Sequence, residues 1–165
     1  SRYFLSTKPI KTKNMKKLSL VLLLLAGTFF TLQAQQSTQD IIRSYLKSEG
    51  YTPTTDEDGH IAFKVQGITC YAIAREVGLG CNVVQVTTAF KTEIPYEKLL
   101  EKSNAFNRNK FIAKCIASRS NPENYYSISM EFISDNQANT ETQIAYSLQL
   151  IPIWVEEFKT MVAEE

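Results

Sequence analysis

His60-Ile-Ala-Phe-Lys-Val-Gln-Gly67, Ile68-Thr-Cys-Tyr-Ala-Ile-Ala-Arg75 and Cys81-Asn-Val-Val-Gln-Val-Thr-Thr-Ala-Phe90 are three strand-length runs set apart by turn signals. In the first, Ile61, Phe63 and Val65 alternate with Ala62, Lys64 and Gln66, the period of a strand with one buried face. In the second, Ile68, Cys70, Ala72 and Ala74 share a face, while Tyr71 and Ile73 make the opposite face apolar as well. In the third, Val84, Val86, Thr88 and Phe90 oppose Val83, Gln85 and Thr87. Gln66-Gly67 reads as a tight turn and Glu76 to Gly80 as a loop. The stretch predicts an antiparallel meander whose middle strand needs cover on both sides.

Working toward the N-terminus, Asp56-Glu-Asp-Gly59 is a turn, and Pro53 marks Tyr51 to Thr55 as a short edge segment. Ser37-Thr-Gln-Asp40 has the form of a capping box. Ile41, Ile42, Tyr45 and Leu46 follow on one helical face, and Gly50 ends the helix, placing it at about Thr38–Glu49. Toward the C-terminus, Ile94-Pro95 opens a second helix with Leu99, Leu100, Ser103 and Phe106 on its buried side. Phe111 to Ser118 reads as a strand with Phe111, Ala113, Cys115 and Ala117 inward. Asn121-Pro-Glu-Asn124 is a turn. Tyr125 to Ile133 is a strand with Tyr126, Ile128, Met130 and Phe132 inward and Glu131 outward. From about Asn139, the residues Ile144, Leu148, Ile151, Val155, Phe158 and Val162 form a helical stripe with Trp154 beside it, and Pro152 is expected to kink the helix or split it. The order α-β-β-β-β-α-β-β-α predicts an α+β domain, an antiparallel sheet of about five to six strands with helices on one face.

The 165 residues suffice for one domain with a core, and 44% hydrophobic against 21% charged residues is a globular composition. The net charge of +1 averages two unlike parts. Residues 1–34 hold six cations and no acid, leaving 12 Lys and Arg against 17 Asp and Glu in residues 35–165, a net of −5. An acidic domain without a basic stripe lacks the footprint of a nucleic-acid binder and has no pull toward anionic membranes.

Met15-Lys16-Lys17, the apolar run Leu18 to Phe30 and Leu32-Gln33-Ala34 have the charged, apolar and small-residue parts of a secretory signal peptide, with Gln35 as the new N-terminus. A membrane anchor is the alternative, but the run is short for a span of about 20 residues and polar Gln33, Gln35 and Gln36 follow at once. Residues 1–14 are read as upstream sequence, 15–34 as the signal and 35–165 as the domain. The expected location is the periplasm or the cell exterior, with no membrane contact after cleavage.

The helix Ile41-Ile-Arg-Ser-Tyr-Leu-Lys47 with Gly50-Tyr51, the turn and strand Asp56-Glu-Asp-Gly-His-Ile-Ala-Phe-Lys64 and the passage Ser103-Asn-Ala-Phe-Asn-Arg-Asn-Lys-Phe-Ile-Ala-Lys-Cys115 resemble the YbjN-like domains. These are related in fold to the class I chaperones of type III secretion. The resemblance spans nearly the whole mature chain. It implies this α+β architecture and no reaction, since the family carries a sensory-transduction regulator label. A secretion signal departs from the cytoplasmic chaperones.

Chemistry-bearing residues are sparse. His60 is the chain's single histidine, so one chain cannot build a two-histidine metal site. Asp56-x-Asp58-Gly59 has a partial likeness to a calcium loop, but the remaining ligand spacing is missing and a solvated hairpin turn accounts for it. Cys70, Cys81 and Cys115 make an odd count; Cys70 and Cys115 are both inward and could meet in a disulfide if their strands are neighbours, the other reading being three small buried or half-buried thiols. No Cys-x-x-Cys, Gly-x-Ser-x-Gly or P-loop pattern exists. Asn104 and Asn107 suit either a helix end or a partner's backbone. No catalytic, cofactor-binding or metal residues are assigned and no cofactor is expected. The reading is a secreted, non-enzymatic binding or chaperone-like module using Tyr71 and Ile73 as its interaction face. Its partner is a protein, a peptide or a second copy in a homodimer. The alternative is a small-molecule or ion sensor with a ligand between sheet and helices near Trp154 and Tyr146.

Overall fold

The computed structural model describes residues 37–120 and 122–163; the upstream and signal segments expected within 1–34 lie outside them. The fold grows from the tight turn at Gln66-Gly67. Both residues have positive φ, 50° and 81°, which matches the twist of two antiparallel strands joined by two residues. That turn joins β2 (Ile61–Val65) to β3 (Ile68–Gly78) and sets Phe63 opposite Cys70. A second such turn at Leu79-Gly80 joins β3 to β4 (Cys81–Thr92). The expected loop from Glu76 to Gly80 is therefore a strand end, a bulge between Glu76 and Gly78, and a turn. Every residue from Arg75 to Gly80 is exposed, which suits the charges of Arg75 and Glu76.

The remaining elements extend this meander. β1 (Thr54–Thr55) adds a short edge beside β2. β6 (Glu123–Ser134) pairs with β4 over nearly its whole length, from Asn82 opposite Ser134 to Thr92 opposite Asn124. β5 (Ala113–Ser120) lies outside β6. The result is one six-stranded antiparallel sheet, order β1-β2-β3-β4-β6-β5. Element order and class are those expected from the sequence.

Among the described residues, three helices cover one face. α1 (Thr38–Ser48) starts at Ser37, whose hydroxyl oxygen accepts the Asp40 N–H at 3.1 Å. It ends in a Schellman motif: Tyr51 N–H donates to the Leu46 carbonyl and Gly50 N–H to that of Lys47, with Gly50 at φ +86°. α2 is Tyr96–Arg108, and α3 is Gln137–Ala163. α3 runs unbroken through Pro152, so the expected split does not occur; buried side chains on both halves, from Ile144 to Val162, hold them on one core. That core joins the inward residues of β2, β3, β4 and β6 to Ile42, Leu46, Leu99, Phe106, Ile151 and Phe158. Phe158 sits in an aromatic cluster, 5.8 Å from Phe106 and 4.9 Å from Tyr126 between ring centres.

Two inward assignments are corrected. Leu100 is 42% exposed, because Leu99, Ser103 and Phe106 already define the buried stripe of α2 and Leu100 stands on its flank. Phe111 is fully exposed, because β5 starts only at Ala113 and Phe111 sits in the bend that leaves α2.

Candidate functional site

Among the described residues, the strands that bury one face leave the other without a helix. Alternation puts Tyr71 and Ile73 there from β3, Val83, Gln85 and Thr87 from β4, and Glu131 and Ile133 from β6. Pairing sets these in rows: Tyr71 opposite Thr87, Thr87 opposite Ser129, Ser129 opposite Lys114. Ile73 lies opposite Gln85 and Gln85 opposite Glu131, while Val83 faces Ile133. Tyr71, Ile73 and Val83 are half-buried by their neighbours, and Ile133 is 60% exposed.

A polar row crosses this face. Gln85 Nε2 and Lys114 Nζ both donate to Glu131 Oε1, at 2.9 and 3.2 Å. At the far end Lys91 pairs with Glu123, and the Tyr125 hydroxyl donates to the other Glu123 oxygen. The Lys91 ammonium and the Tyr125 hydroxyl hold the Glu123 carboxyl below its ordinary range, and Glu123 in turn raises Lys91. Each carboxylate of the face is thus held by a lysine. Lys64 and Arg75, on the same face, have no charge partner among the described residues. The sequence showed Lys114 and Glu131 pointing outward, but their pairing across strands depends on the register of β5 and β6.

The other candidates resolve into structural chemistry. Asp56, Asp58 and His60 do converge, their ligand-type atoms within 4.8 Å of one another. Asp56 Oδ1 accepts the N–H groups of Asp58 and His60 at 3.0 and 2.7 Å, and Oδ2 lies 3.2 Å from His60 Nδ1. Partial desolvation raises the Asp56 carboxyl, but the His60 contacts and the Asp58 N–H outweigh it and leave its pKa lowered. The arrangement is a carboxylate organising its own hairpin turn.

The disulfide expectation for Cys70 and Cys115 is corrected. Their strands, β3 and β5, are separated by β4 and β6, and both thiols are free. Three strand spacings put them roughly 14 Å apart, against the ~4.4–6.8 Å between Cα atoms that a disulfide needs. Burial pushes the Cys70 thiol up to about 12. It raises Cys115 to about 11, against a lowering contact from the Ser103 hydroxyl at 3.3 Å. Both are therefore protonated at neutral pH.

Asn107 has a structural task. Its Nδ2 donates to the Cys115 carbonyl at 2.8 Å and its Oδ1 accepts the Cys115 N–H at 2.7 Å. One side chain thereby takes the place of a further strand on the free edge of β5. Asn104 is exposed. Trp154 is buried and Tyr146 half exposed, and they line no common cavity among those described. Tyr146 instead lies with Tyr45 along a shallow groove between α1 and α3. An open cleft of about 660 Å³ lies elsewhere, between the β2–β3 turn and α3, bordered by Phe90, Pro152 and Lys159.

The family model for YbjN, described as "Putative bacterial sensory transduction regulator", matches residues 38–164. The chain belongs to the YbjN family. No curated protein matches it. Among solved structures it is similar to the crystal structure of YbjN, "a putative transcription regulator from E. coli", with a TM-score of 0.56 at 8% identity, covering 75% of this chain and 92% of that one. It is also similar to the Yersinia pestis type III secretion chaperone SycH, solved in complex with a stable fragment of YscM2. There the TM-score is 0.51 at 13% identity, covering 76% of this chain and 99% of that one. At these identities the likeness is one of fold. The YbjN assignment agrees with the resemblance seen in the helix, turn and strand patterns of the sequence.

Proposed function

We propose that this YbjN-family chain is an exported, non-enzymatic, chaperone-like module that holds a protein or peptide on its uncovered sheet face. The observation that carries this reading is the sheet itself: among the described residues it has six strands, helices on one side only, and Tyr71, Ile73, Val83 and Ile133 on the side left open. Apolar side chains on an open face are the usual mark of a partner surface. The fold shared with SycH, a chaperone solved with a bound protein fragment, supports the same reading. Export rests on the signal pattern of residues 15–34. The two buried, protonated thiols and the turn-bound His60 are consistent with a binding role.

The test replaces both Tyr71 and Ile73 with Asp. Partner capture from periplasmic extract, read as cross-links placed at β3 and β4, is expected to disappear while far-UV circular dichroism stays unchanged. A wild-type chain that stays monomeric and captures nothing would overturn the proposal.

A further inference from the structure

The open face carries a charge pattern that narrows its partner. Lys64, Arg75, Lys91 and Lys114 lie on it, with Glu123 and Glu131 as its acids, although residues 35–165 as a whole are acidic. Both acids are already held, Glu123 by Lys91 and Glu131 by Lys114. Lys64 and Arg75 are left with no carboxylate among the described residues.

Their positions bracket the apolar residues. Lys64 pairs with Thr69, so it marks the start of the outward row Thr69, Tyr71, Ile73, Arg75 on β3. Thr69 and Arg75 are six residues apart along the strand, roughly 20 Å. An extended chain lying along β3 covers that length in about the same number of residues and shows every second side chain to the sheet.

We propose that the uncovered face takes an extended acidic peptide segment of the pattern acid-x-apolar-x-apolar-x-acid, with the acids on Lys64 and Arg75 and the apolar pair on Tyr71 and Ile73. This rests on reading the face as a protein-binding surface and adds the chemistry of the partner. A second copy does not fit as well. A two-fold, face-to-face dimer buries the same patch twice, and the face offers no unheld carboxylate to meet the two free cations. A single-stranded nucleic acid fits less well too, because its phosphates would approach Glu123 and Glu131, and Ile73, next to Tyr71 in the row, has no ring to stack a second base.

The experiment measures fluorescence anisotropy of the full chain with a labelled Glu-Ser-Leu-Ser-Leu-Ser-Glu peptide and with its counterpart carrying Lys in place of both Glu. The acidic peptide is expected to bind roughly tenfold tighter, the sum of two exposed ion pairs, and to weaken as salt rises. The Lys64→Glu, Arg75→Glu double variant is expected to reverse the preference with unchanged far-UV circular dichroism. Equal binding of the two peptides, lost in the Tyr71→Asp, Ile73→Asp variant, overturns the acidic pattern and leaves the protein-binding reading standing. Absence of binding by either peptide overturns the pattern as well, and only the partner-capture test then decides the broader reading. Tighter binding of an oligothymidylate, lost in the double charge variant, overturns the proposal in favour of nucleic acid.

Discussion

The two faces of the sheet are built from the same strands and differ in almost everything else. On the helix side Ile61, Phe63, Val84, Val86, Ile128 and Met130 are at most 3% exposed, and among the described residues no charged side chain is buried. On the other side, one residue along each strand, four cations and two carboxylates stand among half-buried apolar groups. A residue on the first face is constrained by packing, because each atom removed leaves a cavity the helices cannot fill. A residue on the second is free of that packing constraint, and under the proposed function it is constrained mainly by what docks there. If the proposed function holds, stability and recognition are assigned to alternate positions of the same strands, so each is open to change without the other.

Phe158→Ala is the severest challenge to that division. It empties the aromatic cluster with Phe106 and Tyr126 on the covered side and should cost about 3–5 kcal/mol in urea unfolding. A loss near zero would mean that the helix layer is not what holds the fold. Asn107→Ala probes the boundary where the two faces meet at the β5 edge. It strips the Cys115 N–H and carbonyl of their partners, so a loss of about 1–3 kcal/mol is expected. Hydrogen exchange at the Cys115 amide should speed up first, and slow exchange there in the variant would show that Asn107 does not guard the edge. Ile133→Ser should have the smallest effect. The side chain is 60% exposed on the open face, and a change within about 0.5 kcal/mol is expected. A core-sized loss instead would show that this face is packed against something in the free protein.

Much of this division is legible from local pattern. Period-2 alternation in β2, β4 and β6 correctly sorts inward from outward residues, and the stripe from Ile144 to Val162 correctly names the buried side of α3. Tyr71 and Ile73 stand out as apolar residues on the second face before any fold is known. The pattern misleads where a residue's surroundings are not local. Phe111 continues the alternation of β5 but falls in the bend before it. Glu76 to Gly80 reads as a loop from its two glycines, but Glu76 and Gly78 pair across the hairpin with Asn82 and Cys81. Asn107 looks like an ordinary helix-end residue, and only its contact with Cys115 shows that it closes a sheet edge.

The sequence by itself determined most of the elements, their order, the face that most residues take and, through its residue patterns, the YbjN resemblance. Periodicity, capping and turn chemistry act over a few residues and leave direct marks. The tertiary structure alone decided which strands are neighbours. It separated Cys70 from Cys115 by two strands, joined Gln85, Glu131 and Lys114 into one row, and left Lys64 and Arg75 without partners beside Tyr71 and Ile73. Strand order and register are settled by contacts between residues far apart in the chain, where the burial of whole faces outweighs any local preference.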